Sequence, residues 1–229
     1  MTRTNRILMV LTSTAAQGEG GDPTGFYLPE AAHPWKVFRD AGYEIDFVSP
    51  LGGKPPMDGA DMSDQVQRAF LDDVTVAGKL KATLRPDEID ASAFDAIFYV
   101  GGHGAMWDFP HDKGLAAIAA AIYESDGVVA AVCHGPAGLV NVTLSDGAYL
   151  VGGKNVAAFT NDEEDAVGKT EIVPFLLQTT LEQRGAVHTG ADNFAAHVVA
   201  DGRLVTGQNP ASSTGVAEGV VKALAETRR

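Results

Sequence analysis

The sequence predicts an α/β fold in which a parallel β-sheet is sandwiched by helices on both faces. Three observations predict it: short, unbroken apolar runs, amphipathic stretches between them, and unusual residues at the turns where the runs end. In such sheets ligands bind outside the carboxyl ends of the strands. The turns after Thr12, Val100 and Val132 are therefore expected to converge on a site.

Taken in order, Ile7–Thr12 is continuously apolar up to its final threonine, as a central strand buried on both faces requires. Ser13–Thr24, rich in Gly, Ser and Thr, reads as a loop. Leu28–Ala41 reads as a helix stopped by Gly42, with Trp35 and Phe38 on its apolar stripe. Tyr43–Val48 alternates into a second strand, and Ser49–Met62 is a Gly/Pro-dense loop. Ser63–Arg85 is weakly helical, broken by Gly78 and closed by Pro86. Phe94–Val100 gives a third strand that ends in the turn Gly101-Gly-His-Gly104. Asp112–Ser125 is an alanine-rich helix, and Val128–Val132 is a buried strand punctuated by Gly135, Pro136 and Gly138. Asn155–Phe159 reads as a strand, Thr160–Asp165 as an acidic loop, and Pro174–Arg184 as a helix stopped by Gly185. His197–Thr206 is a hairpin turning on Asp201-Gly202, and Thr214–Ala225 a final amphipathic helix. With no repeat, low-complexity tract or linker, the expectation is a single domain over residues 1–229.

A formal charge of −13 argues against nucleic acid or an anionic membrane as partner. The basic stretch Met1–Arg6 precedes an apolar run too short for the core of a signal peptide, and no run is long enough to cross a bilayer. A lone cysteine excludes an internal disulfide framework and fits a reducing compartment, so the expected location is the cytoplasm.

That cysteine, Cys133, stands on the turn after Val128–Val132, beside His134. There a thiol is expected to face a helix N-terminus, whose dipole favours thiolate over thiol, and to act as a nucleophile. Adjacent side chains on a helix diverge by about 100°, so His134 serves either Cys133 or the bound substrate. Glu30, in a helix otherwise apolar around it, reads equally as a solvated first-turn charge and as a buried, proton-carrying carboxyl. Glu163 and Glu164 head the acids able to orient a histidine. Gly101, Gly102 and the His134 amide are candidate oxyanion donors, and His103 a candidate substrate contact. Tyr27, Trp107 and Phe109 are candidate pocket walls. The Cys/His spacing fits no zinc site, and no phosphate or dinucleotide loop appears, so neither metal nor cofactor is expected.

Five segments carry a family resemblance: Gly25–Pro34, Asp46–Ser49, Gly101–Gly104, Val128–Pro136 and Leu204–Ser213. On them the chain resembles the ThiJ/PfpI superfamily, of flavodoxin-like, class I glutamine amidotransferase-like fold, and within it the glyoxalase III branch, also described as small heat-shock chaperones. The resemblance implies a triad of Cys133, His134 and Glu164, with Glu163 or Asp165 next in line for the carboxylate, and a functional Glu30 beside the thiol. It implies a cofactor-independent enzyme converting methylglyoxal or a related 2-oxoaldehyde to a 2-hydroxy acid, and a homodimer. The downstream His-x-Glu pair of the fold's glutaminases is missing: Thr189-Gly190 follow His188, and two valines follow His197. A holdase chaperone with Cys133 as redox sensor, and a peptidase or amidase, are the alternative expectations.

Overall fold

The structure, a computed structural model, describes residues 5–227, so Met1–Thr4 of the basic stretch lie outside the described residues. The order is β1 (Arg6–Val10), β2 (Phe26–Tyr27), α1 (Leu28–Asp40), β3 (Glu44–Val48), β4 (Met57–Asp58), α2 (Gln65–Asp72), α3 (Val74–Lys81), β5 (Ala96–Tyr99), α4 (Ala105–Asp108), α5 (Lys113–Glu124) and β6 (Val128–Val132). There follow β7 (Asn155–Val156), α6 (Asn161–Ala166), α7 (Leu177–Gln183), β8 (Val187–His188), β9 (Val198–Asp201), β10 (Leu204–Gly207) and α8 (Ser213–Thr227).

The main sheet has six strands in the order β3-β1-β5-β6-β10-β9. All neighbours are parallel except β9, which closes the edge as the antiparallel arm of the hairpin turning at Asp201-Gly202. The unbroken apolar runs follow from burial on both faces: Leu8, Val10, Ile97, Tyr99, Val129 and Ala131 face one core, whereas Ile7, Met9, Ala96, Phe98, Val128 and Ala130 face the other. α5 packs on the first core, with Leu115, Ile118 and Ile122. α1 and α8 cover the second, where Phe38 meets Phe98 edge-on at 5.6 Å. Among the described residues no helix is long and apolar enough to cross a membrane.

Local departures from the sequence reading have identifiable causes. Residues 63–85 form two helices rather than one broken one, because Asp64 and Asp73 each cap a new start by accepting from backbone N–H groups ahead of them. Gly78 lies inside α3 and does not end it. The acidic stretch at Thr160 is a helix, not a loop: the Thr160 hydroxyl accepts the Glu163 N–H at 3.0 Å while the Glu163 carboxyl accepts the Thr160 N–H at 3.0 Å. Only Asn155–Val156 of the expected strand pairs, with β8; Phe159 instead donates its N–H to the Cys133 carbonyl at 3.0 Å. The Pro174–Arg184 helix begins only at Leu177.

Candidate active site

β6 delivers Cys133 at the carboxyl edge of the sheet, with φ at 60°. This left-handed conformation costs a non-glycine residue roughly 1–2 kcal/mol and lifts the side chain out of the strand's alternation into an elbow. The elbow leads into a single 3-10 segment, Gly135–Leu139, rather than the α-helix whose dipole was expected to ionise the thiol. Cys133 is only 4% exposed, and burial, together with the Glu30 charge whenever that carboxyl ionises, pushes the thiol well above its ordinary range. The resting group is therefore a thiol, a correction to the thiolate expected from sequence.

The neighbouring His134 does reach it, because the elbow is not a regular helix: Sγ and Nδ1 stand 3.4 Å apart. On its other side His134 Nε2 donates to Glu164 Oε2 at 2.8 Å. Burial of Glu164 would raise its pKa, but hydrogen bonds from His103 and His134 outweigh that and bring it down to about 2. An ionised carboxylate only accepts, so the His134 proton sits on Nε2 and the Nδ1 lone pair faces the sulfur. Burial first, and then the adjacent His103, lower the His134 pKa to about 4, against the pull of Glu164. At neutral pH the imidazole is an uncharged base aimed at a thiol.

Glu164 serves a second histidine. His103, at the Gly101–Gly104 turn after β5, donates Nε2–H to Glu164 Oε1 at 2.9 Å and lies 4.1 Å from the His134 ring. Phe159 also packs on His134, centroids 4.3 Å apart. His103, His134 and Glu164 offer three donor atoms within 4.8 Å of one another, and each carboxylate oxygen already accepts a histidine N–H.

Glu30 resolves in favour of the buried reading, at 0% exposure in the first turn of α1. Its carboxyl faces the Cys133 thiol and the Gly101 amide, although neither oxygen closes a hydrogen bond of standard geometry. Burial raises its pKa from 4.5 to about 8, so it holds its proton at neutral pH. Only glycine fits beside it. A Cβ on Gly101 would fall 2.3 Å from Glu30 Oε2 and 2.6 Å from the Val132 carbonyl. Gly102, at φ 103°, would set one 2.3 Å from the Gly25 carbonyl.

These groups line a cavity of about 270 Å³ whose walls include Tyr27, Gly102, Phe159 and Phe194. Gly101 is not among the lining residues, its N–H being turned to Glu30. Of the aromatic candidates only Tyr27 reaches the cavity: Phe109 packs on Tyr99 at 5.5 Å, and Trp107 packs against the core. Glu163 faces away from His134, accepting from Thr160, Phe194 and Asn209, and Asp165 is not among the partners of His134. His188 contacts the Ala158 backbone, not the cysteine. Phe194 escaped the sequence reading because a single aromatic in a polar loop carries no periodic signal.

A strained cysteine elbow at the edge of a parallel sheet, backed by histidine and carboxylate, defines an α/β protein of the nucleophile-elbow class. More narrowly, the chain belongs to the DJ-1/PfpI family, whose profile matches residues 24–223. It is 35% identical to "Glutathione-independent glyoxalase HSP31" of Saccharomyces cerevisiae, over 96% of this chain and 98% of that protein. The crystal structure of glyoxalase III from Candida albicans superposes with a TM-score of 0.89 at 33% identity, covering 96% of this chain and 98% of that one. The structure of Rapid Encystment Protein 24 kDa from Francisella tularensis gives 0.93 at 35% identity, covering 96% and 99%.

Proposed function

We propose that this protein is a cofactor-independent glyoxalase that converts methylglyoxal or a similar small 2-oxoaldehyde, with water, to a 2-hydroxy acid such as lactate. The observation that carries the reading is the pairing, around one sulfur, of a neutral imidazole base with a carboxyl that keeps its proton at neutral pH. The cavity lies below the roughly 300–1,000 Å³ of drug-sized sites, and its acidic side chains are Glu30 and Asp58, with no Lys or Arg in its lining. Both features favour a small, uncharged substrate. The names of the yeast and Candida relatives support the same chemistry.

In this reading Cys133 Sγ bonds to the aldehyde carbon as its proton passes to His134 Nδ1. The carbonyl oxygen takes a proton from Glu30, with the Gly102 and His134 amides assigned to hold the developing charge. Glu30, now a carboxylate, removes the hydrogen from the former aldehyde carbon while His134 returns its proton to the neighbouring oxygen, giving an enediol. Glu30 then protonates the second carbon and recovers a proton from the first hydroxyl, leaving a thioester. Water, deprotonated by His134, releases the hydroxy acid and the thiol. No external oxidant or reductant enters, because one carbon is oxidised as its neighbour is reduced. Glu164 fixes the tautomer of His134 and stabilises its imidazolium.

Purified protein given methylglyoxal without glutathione is expected to form lactate whose second carbon carries the hydrogen taken from the aldehyde carbon, and to lose this activity with Cys133→Ala. Formation of lactate that survives Cys133→Ala overturns the reading. A single-domain homodimer acting in the cytoplasm belongs to the same proposal: the one cysteine in 229 residues fits a reducing compartment, and light scattering on the purified protein tests the pairing.

A further inference from the structure

We infer that Phe194 selects among 2-oxoaldehydes by receiving the apolar substituent on the carbon next to the aldehyde, and that the buried Glu163 is the positioning residue that holds it there. The inference rests on the glyoxalase reading of the site and names what that reading leaves open, the part of the substrate that does not react.

Phe194 sits in the exposed stretch 191–196 and is itself 50% exposed, so it gains little from the core. It nevertheless adopts φ 63°, a conformation shared among the described non-glycine residues only by Cys133 and Asp126. Such strain persists only where surrounding contacts enforce it, and it gathers at ligand clamps and active sites. Glu163, at 0% exposure, supplies the enforcement. Its Oε1 accepts the Phe194 N–H at 2.8 Å and the Asn209 side-chain amide at 2.9 Å, and that same amide nitrogen donates to the Ala195 carbonyl at 2.7 Å. Its Oε2 is held by the N–H and hydroxyl of Thr160 at 3.0 and 3.1 Å. One buried carboxyl thus ties the cap of α6, the residues at Phe194 and Ala195, and the turn at Asn209 into a single rigid corner.

The ring so held lines the same cavity as Cys133, 6.4 Å from Phe159, with Val167 and Pro210 also in the lining. Once the two carbonyl carbons are engaged by the sulfur and Glu30, the remaining substituent of the substrate needs an apolar wall, and these side chains supply one. Phe194 is the member of that wall fixed by strain.

The test compares kcat/KM for glyoxal, methylglyoxal and phenylglyoxal, which carry hydrogen, methyl and phenyl at that position. Phe194→Ala is expected to lower the phenylglyoxal-to-glyoxal ratio about tenfold, the scale of discrimination apolar pockets achieve. Phe194→Tyr should restore the ratio. Glu163→Gln, which sets an NH2 against N–H donors that need an acceptor, should lower the ratio severalfold through KM rather than kcat, and add nothing in the Phe194→Ala background. Equal losses for all three aldehydes in Phe194→Ala, or a selectivity effect of Glu163→Gln that persists without Phe194, overturn the inference. A wild type that turns over none of the three defeats the glyoxalase reading instead. The wall is then read by the relative rates at which iodoacetamide and its N-phenyl analogue alkylate Cys133: Phe194→Ala should abolish the preference for phenyl, and an unchanged rate ratio overturns the inference.

Discussion

Replacing Glu30 by glutamine isolates the cost of keeping a carboxyl in an apolar cleft. In the folded protein Glu30 releases its proton at about pH 8, against an ordinary value of 4.5. The folded state therefore binds the proton more tightly than the unfolded chain, and the stability this contributes is complete below pH 4.5 and lost as pH rises toward 8. At about 1.4 kcal/mol per tenfold difference in proton affinity, the gap is worth roughly 4–5 kcal/mol, of which about 4 kcal/mol is lost between pH 5 and 8.5. Glutamine keeps the shape and cannot ionise. Urea unfolding of wild type and Glu30→Gln at pH 5, 7 and 8.5 is expected to show the variant gaining on the wild type by several kcal/mol across that range, other groups cancelling in the comparison. A difference between the two proteins that does not move with pH would refute the protonated Glu30 on which the proposed proton transfers depend.

The pH dependence of kcat/KM is expected to be a bell: activity falls as pH drops through about 4, where His134 ceases to be a base, and falls again above about 8, where Glu30 loses its proton. The residual activity of Glu30→Gln should lack the alkaline limb. Gly101→Ala should cost about 2 kcal/mol or more and at least a hundredfold in kcat, because the added methyl meets a backbone carbonyl and the Glu30 carboxyl at once; thermal melting and turnover read the two effects. Cys133→Gly should be more stable than Cys133→Ala by about 1 kcal/mol in urea, since only glycine is unstrained at φ 60°. Glu164→Gln should lower kcat by roughly 10²–10⁴-fold with the fold intact by circular dichroism, having lost the acceptor that sets the tautomer of His134.

The architecture was legible because its strands are buried on both faces, and burial writes itself into sequence as unbroken apolar runs such as Ile7–Leu11 and Val128–Val132. That Cys133, His134 and Glu164 would come together was legible from the elbow and from resemblance. The ionisation of the thiol was not, since it depends on how deeply a group is buried and which charges surround it, and Glu30 lies about a hundred residues away along the chain. The helix at Asn161–Ala166 reads as loop in sequence because six residues are too few to show periodicity; its signal is the Thr160–Glu163 cap. Phe194 and Asn209 were invisible for a related reason, as their importance lies in a shared contact with Glu163 made across the fold.

Two consecutive residues of α6 divide the labour of the cleft. Successive side chains on a helix are turned about 100° apart, so Glu163 reaches Phe194 and Asn209 while Glu164 reaches the pair of imidazoles. Inserting or deleting one residue in that turn would misdirect both at a stroke, parting Glu164 from the imidazoles and Glu163 from Phe194 together. On the proposed reading, size of substrate and speed of reaction are geared to one short piece of chain, and a redesign aimed at bulkier aldehydes must leave its length alone and work at Phe194.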